Sequence, residues 1–192
     1  MTSPAASRPG AEFTVRELRW SDFDGLNEAW LLLFEERSVH PDIGITLFRS
    51  PPSTQDGVTW FANLYRNALS GEAIVAVAER NGRPVGSCTI HRVGPSEDSE
   101  AAHVGDLGIL VHRDHRGSGI GRALLASALG QCEGRFELVR LSVFSVNRRA
   151  RKLYEEFGFV YVGTIPRAIH RGGEYLDEDL MVKDLGPPRA NR

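Results

Sequence analysis

Short apolar runs alternate along this chain with longer stretches in which apolar residues recur at helical spacing. The apolar runs predict strands over residues 13–18, 73–79, 84–92, 103–111 and 137–144, because a strand buries one or both faces of a short segment. Helical spacing predicts helices over residues 22–37, 56–69, 119–132 and 147–157. Ser21 or Asp22 stands where the cap of the first helix is expected, and Trp30, Leu31 and Phe34 suit one apolar face of it. Asn81-Gly82 reads as a hairpin turn, and residues 159–169 and 175–185 as the strands of a closing hairpin. Residues 38–57 hold three prolines and two glycines and read as a long loop, and residues 95–100 as an acidic one. Strands alternating with helices predict an α/β or α+β fold, a sheet covered by helices, with no internal repeat.

Composition narrows the picture. The 192 residues are 41% apolar and 25% charged, an ordinary globular balance for one domain. We expect a disordered leader over residues 1–12, a single folded domain over 13–185 and a polar tail over 186–192. The formal net charge is -2, from 23 Lys+Arg against 25 Asp+Glu, which gives no general attraction to nucleic acid or to an anionic membrane. Only a local patch would hold phosphate. Cys88 and Cys132 lack metal-ligand spacing, so no metal is expected, and two cysteines suit a reducing, cytoplasmic setting. No apolar run approaches the ~20 residues that a membrane helix needs.

The chemistry concentrates in residues 111–125, VHRDHRGSGIGRALL. An apolar strand ends at Val111, a basic turn follows with glycines at 117, 119 and 121, and an apolar helix begins. Helix N-termini carry unpaired N–H groups and partial positive charge, and glycine lets them approach a bulky anion. Arg116 and Arg122 are expected to add charge. Neither the Walker nor the Rossmann spacing is present. The spacing that fits is Arg-x-x-Gly-x-Gly, Arg116 to Gly121. Further on comes NRRARKLYEEFGF, residues 147–159. On a helix Ala150, Leu153 and Phe157 share a core stripe, Asn147 and Tyr154 lie at its edge, and Arg148, Arg149, Lys152 and Glu156 point to solvent.

These two segments together resemble the GCN5-related N-acetyltransferase (GNAT) superfamily. The first resembles its acetyl-CoA pyrophosphate loop, and the second its Asn-x-x-Ala-x-x-Leu-Tyr-x-x-x-Gly-Phe helix. The ending GTIPRAIHRGGEYLDEDLMVKDL resembles the hairpin that closes many members. The likeness is close over residues 104–185 and reaches the N-terminal half only in the order of elements. It implies a mixed, twisted sheet of about seven strands with about four helices, and a central strand pair that splays apart. It implies acetyl-CoA as cosubstrate, with pantetheine along Ile109, Leu110 and Val111. The amides of Gly117, Ser118, Gly119, Ile120, Gly121 and Arg122 would hold the pyrophosphate, after Arg116, and Asn147 would bond the pantetheine arm.

Acetyl transfer to an amine needs a base for the amine's proton and an acid for the departing thiolate. By resemblance and helix position Tyr154 is the acid. Asp106 is the first candidate base. It alternates in facing with Leu107, Ile109 and Val111, and where several members carry Glu this chain has the shorter Asp, which favours a bridging water. His103 and Glu100 are weaker candidates. The basic run Arg148, Arg149, Arg151 and Lys152 would meet the CoA 3′-phosphate or simply face solvent. The acceptor site is expected from the first two helices, the loop at 38–57 and the hairpin at 165–176. Glu174, Asp177, Glu178 and Asp179 would there steer a cationic amine or merely be solvated. The activity implied is N-acetylation of a small-molecule amine. The alternatives are a protein or peptide amine as acceptor and a non-catalytic acyl-CoA-binding module. A homodimer is compatible with this reading.

Overall fold

In the computed structural model, which describes residues 13–37, 39–40 and 50–186, the strands are β1 (Thr14–Glu17), β2 (Ala73–Arg80), β3 (Arg83–Arg92), β4 (Val104–Val111), β5 (Leu138–Phe144), β6 (Val160–Arg171) and β7 (Glu174–Asp184). The helices are α1 (Phe23–Glu36), α2 (Thr54–Leu69), α3 (Ile120–Gly130) and α4 (Arg148–Glu156). All seven strands join one mixed sheet in the order β1-β2-β3-β4-β5-β7-β6. The expected leader, nearly all of the tail, and residues 38 and 41–49 of the long loop lie outside the described residues. No helix among the described residues is long and apolar enough to cross a membrane.

The two sheet faces carry separate cores. On one, Ile74, Cys88, Ile90 and Leu107 pack against Leu124 and Leu125 of α3 and Tyr154 of α4. On the other, Val75 and Val77 pack against Leu26 of α1 and Phe61 of α2, while Leu110 meets Trp30 and Leu33. Burying a Leu or Phe side chain stabilises by about 1.5–3 kcal/mol. The single register of β4 therefore fixes which of its side chains look to each helix layer.

β4 and β5 run parallel, as a strand pair joined by a helical crossover must. They pair only over Val104↔Leu138, Gly105↔Val139 and Asp106↔Arg140. Beyond that point β4 stays bonded to β3 as far as Val111, and β5 follows β7 to Phe144. The sheet therefore opens as a wedge, as the sequence resemblance implied.

Three local features correct or extend the sequence expectations. Asp22 precedes α1 but does not cap it with its side chain. Its buried carboxylate instead accepts from Arg16 Nη1 and Nη2 at 2.8 and 2.7 Å and from the Arg19 N–H at 2.8 Å, tying β1 to the start of α1. α2 begins at Thr54 rather than at 56, because Ser53 and Asp56 form a capping box. The β6–β7 ladder breaks between Ile165 and Ile169, around Arg167 at φ 57°. This left-handed residue is held by its N–H donating to Asp177 Oδ1 at 2.7 Å and by its guanidinium 4.1 Å over the Tyr175 ring. Beyond the break, Arg171 at the end of β6 lies with its guanidinium carbon 4.7 Å over the ring of Phe144.

Candidate active site

A groove of about 630 Å³ occupies the wedge, with the β4 backbone from Leu107 to Val111 along one side and Ser142, Val143 and Phe144 along the other. At one end the chain leaves β4, makes a single 3-10 turn over Arg113–His115 and enters the glycine turn. Gly117 and Gly119 adopt φ 83° and 88°, a left-handed conformation that costs other L-residues about 1–2 kcal/mol. Gly119 is the N-cap of α3, and a Cβ there would meet no atom within 4 Å. Glycine is thus required by backbone conformation, and the space beside it stays open. Among the described residues, the N–H groups of Gly117, Ser118, Gly119, Ile120, Gly121 and Arg122 donate to no protein acceptor. A row of unpaired amides at the positive end of a helix is an anion cradle.

The side chains of this turn behave differently from expectation. Arg116 does line the groove, but its Nη1 and Nη2 donate to both Glu36 carboxylate oxygens at 2.9 and 2.7 Å. Its Nε donates to the Val111 carbonyl at 2.9 Å. Arg116 therefore clamps the turn to the end of α1. Arg122 also lines the groove and is ion-paired with Glu156 of α4. Ser118 Oγ donates to the His115 carbonyl at 2.7 Å, and Ile120 is buried in the core, so these two offer the groove only their amides. Positive charge comes instead from Arg149 and Lys152, which line the groove although the helix pattern had pointed them to solvent. Arg151 leaves the basic run and donates to Asp179 Oδ2 at 2.7 Å.

Asn147 caps α4, its Oδ1 accepting the Ala150 N–H at 3.0 Å. Its Nδ2 donates to no described residue and is open to a ligand in the groove that Asn147 lines. Tyr154 is a wall residue in the core rather than a helix-edge one. It is 6% exposed, stands edge-on to Phe159 with centroids 5.9 Å apart, and lines the groove. Its hydroxyl makes no hydrogen bond to a described residue. Burial pushes its pKa up, with a smaller push from the Cys88 thiol, so the phenol stays protonated at every physiological pH.

Asp106 stands at the apex of the wedge, in the last pair before the strands part. Its carboxylate accepts from Arg140 Nε at 2.9 Å and it does not line the groove. Glu100 and His103 precede β4 and do not line it either. Two carboxylates do: Glu156, paired with Arg122, and Glu178 of β7, whose Oε1 accepts from Ser142 Oγ at 2.9 Å. Glu178 belongs to the acidic hairpin run, whose other members are mostly consumed within the hairpin and its supports. Asp177 holds the Arg167 N–H. Asp179, only 2% exposed, accepts from Ser145 Oγ and Thr164 Oγ1 at 2.6 and 2.7 Å. Burial alone would raise the Asp179 pKa, but these bonds and Arg151 outweigh it and hold the carboxyl below its ordinary value. Among the described residues no cluster of His, Cys, Asp and Glu could hold a metal ion.

A wedge between parallel strands, an amide cradle at its mouth and a buried tyrosine in its wall make up a single anion-binding groove. The Acetyltransferase (GNAT) family profile matches residues 17–159, and the chain belongs to that family. It is 33% identical over 84 residues to the L-amino acid N-acetyltransferase AaaT of Escherichia coli K12, a match covering 43% of this chain and 52% of that protein. The chain spans about half the length of the curated relatives it matches. Among solved structures it resembles a ribosomal-protein-alanine N-acetyltransferase from Brucella melitensis, at 25% identity and TM-score 0.72, over 90% of this chain and 99% of that one. It shares its fold with a phosphinothricin acetyltransferase from Sinorhizobium meliloti in complex with acetyl-CoA, at 20% identity and TM-score 0.74, over 95% and 93% of the two chains.

Proposed function

We propose that this protein is an N-acetyltransferase that moves an acetyl group from acetyl-CoA directly to the amine of a small molecule, an amino acid or a close analogue. The row of unpaired amides from Gly117 to Arg122, opening onto the wedge, carries the reading. It fits a pyrophosphate, and the open β4 edge fits an amide-bearing arm laid beside it. Arg149 and Lys152 extend the positive rim. Two relatives named as L-amino acid N-acyl- or N-acetyltransferases support the acceptor class.

When bound, acetyl-CoA supplies an activated acyl thioester. The Gly117–Arg122 amides would hold its pyrophosphate and Asn147 Nδ2 would donate to its arm. Tyr154, kept protonated by burial, holds a proton at its hydroxyl for the departing sulfur. The amine must be neutral to attack, and most amines are protonated at pH 7. We assign receipt of that proton to Glu178, the groove carboxylate that is not ion-paired with Arg122. Ser142 orients the Glu178 carboxylate. Asp106 would act only through a water from the wedge apex, against an ion pair with Arg140. Exposed ion pairs of this kind contribute about 0.2–1 kcal/mol, so Arg140 would not lock it.

Two finer assignments belong to the same reading. The long edge strand β6 exposes Val160, Val162 and Ile165, the surface on which a second copy would pair. Two unpaired, buried thiols, Cys88 and Cys132, suit work in the cytoplasm. The test is thiol release from acetyl-CoA across free amino acids, polyamines and a peptide with a free N-terminus. Release with amino acids is expected; release with no amine would end the catalytic reading.

A further inference from the structure

Three charged side chains of α4 line the groove: Arg149, Lys152 and Glu156. Their spacing of three and then four residues sets them along one side of the helix. Arg149 stands beside the glycine turn, its Nη2 3.4 Å from where a Cβ on Gly117 would lie. Neither Arg149 nor Lys152 makes an ion pair with a described residue. Glu156 is the exception in sign, a carboxylate at the end of α4 in a groove whose cradle and rim are positive. Its partner Arg122 belongs to the first turn of α3 and lines the same groove. The Arg122 guanidinium carbon also lies 5.6 Å over the Phe157 ring. Arg122 therefore gives its backbone N–H to the amide row and its side-chain charge to Glu156.

The other arginine of the turn differs. Arg116 is held through both terminal nitrogens by the largely buried Glu36, a fixed clamp. The Arg122–Glu156 pair is open to water, with side chains 57% and 38% exposed, and exposed pairs are weak. A phosphate carries as much charge as a carboxylate or more and matches a guanidinium equally well, so an anion in the cradle competes with Glu156 for Arg122. We propose that Glu156 limits the affinity of the groove for CoA by holding Arg122 away from the phosphates. The proposal deepens the acetyl-CoA reading and rests on it. Free CoA carries the same phosphates as acetyl-CoA, so grip at the cradle holds product as firmly as substrate and lowers KM without raising kcat. A carboxylate that moderates this grip favours product release. A pair that merely tied α3 to α4 would act in the opposite sense, because loosening it would loosen the cradle.

The experiment measures Kd for CoA and for acetyl-CoA by titration calorimetry in wild type, Glu156→Gln, Arg122→Gln and the double variant, at low and at high salt. At low salt Glu156→Gln is expected to tighten both ligands by about three- to fivefold, and by the same factor for each. Arg122→Gln leaves Glu156 facing the phosphates without its partner, so it is expected to weaken both ligands at least as much. The double variant returns toward wild type. These differences shrink at high salt, which screens exposed charges. Melting curves without ligand check that each variant is folded. Weaker or unchanged binding in Glu156→Gln overturns the proposal. So does unchanged or tighter binding in Arg122→Gln, or a Glu156→Gln gain that salt does not reduce. If wild type binds both ligands and Glu156→Gln does not tighten them, this proposal alone falls. If wild type binds neither, the transferase reading itself has failed.

Discussion

The two ends of the groove are built on opposite plans. The cradle end is made of backbone: consecutive amides, two left-handed glycines and a helix start, all within residues 116–122. Outside the cradle the groove is lined by side chains from α1, β4, β5, α4 and β7, brought together only by the fold. A backbone site tolerates changes in side-chain chemistry but not in conformation. A side-chain site responds in the opposite way, so charge substitutions should act mainly at one end and conformational ones at the other.

The largest effect is expected between these ends, at Tyr154. Tyr154→Phe removes one hydroxyl that bonds no described residue, so the fold and acetyl-CoA affinity should survive. Turnover should fall about 10²–10⁴-fold, the usual contribution of a general acid. Steady-state kinetics beside an acetyl-CoA titration would check this, and wild-type turnover would remove Tyr154 from the chemistry.

Next come the two carboxylates. If Glu178 takes the amine's proton, Glu178→Gln should cost about 10²-fold at low pH, where neutral amine is scarce. It should approach wild type at high pH, where the amine is already neutral. Asp106→Asn, at the apex, should run parallel to wild type with a smaller loss. Exchanged pH–rate profiles would move the base to Asp106.

A smaller effect, on stability alone, is expected at Asp179, which secures the hairpin that carries Glu178 and Arg171. Asp179→Asn should lower unfolding free energy by about 1–3 kcal/mol at pH 7. Because the native carboxyl is held below its ordinary value, wild type keeps its full advantage above about pH 4. It loses that advantage as pH falls through the lowered native value. Denaturant titrations of both proteins at neutral and acid pH should therefore converge in acid; a constant gap would show that the carboxylate's charge contributes nothing.

The same contrast explains what the sequence disclosed. The glycine turn, Asn147 and Tyr154 are legible because their spacing is local and their conformational demands are specific to residue type. The wedge followed from the resemblance those segments carry. The partners of Arg116 and Arg122 were not legible, because Glu36 and Glu156 are remote in the chain and only the fold brings them near. Asp22 looked like a cap until Arg16 on β1 claimed it. Nothing local marks Phe144 and Arg171 as neighbours. The bend that joins them turns on Arg167, a residue type with no preference for the left-handed region, held there by Asp177 and Tyr175. Glu178 was visible as a charge, but its separation from Asp177 and Asp179 required the alternation of β7 against β5.

The most direct test of the account is the melting temperature of the protein against acetyl-CoA concentration, in wild type and in Gly119→Val. A ligand that binds only the folded state stabilises it by mass action, about 2.7 kcal/mol at a hundred times Kd. The account predicts a rising, saturable-affinity shift in wild type. It predicts a much weaker one in Gly119→Val, where the left-handed N-cap can no longer form and the amides lose their alignment. No shift in wild type at millimolar acetyl-CoA, or an equal shift in both proteins, would contradict it.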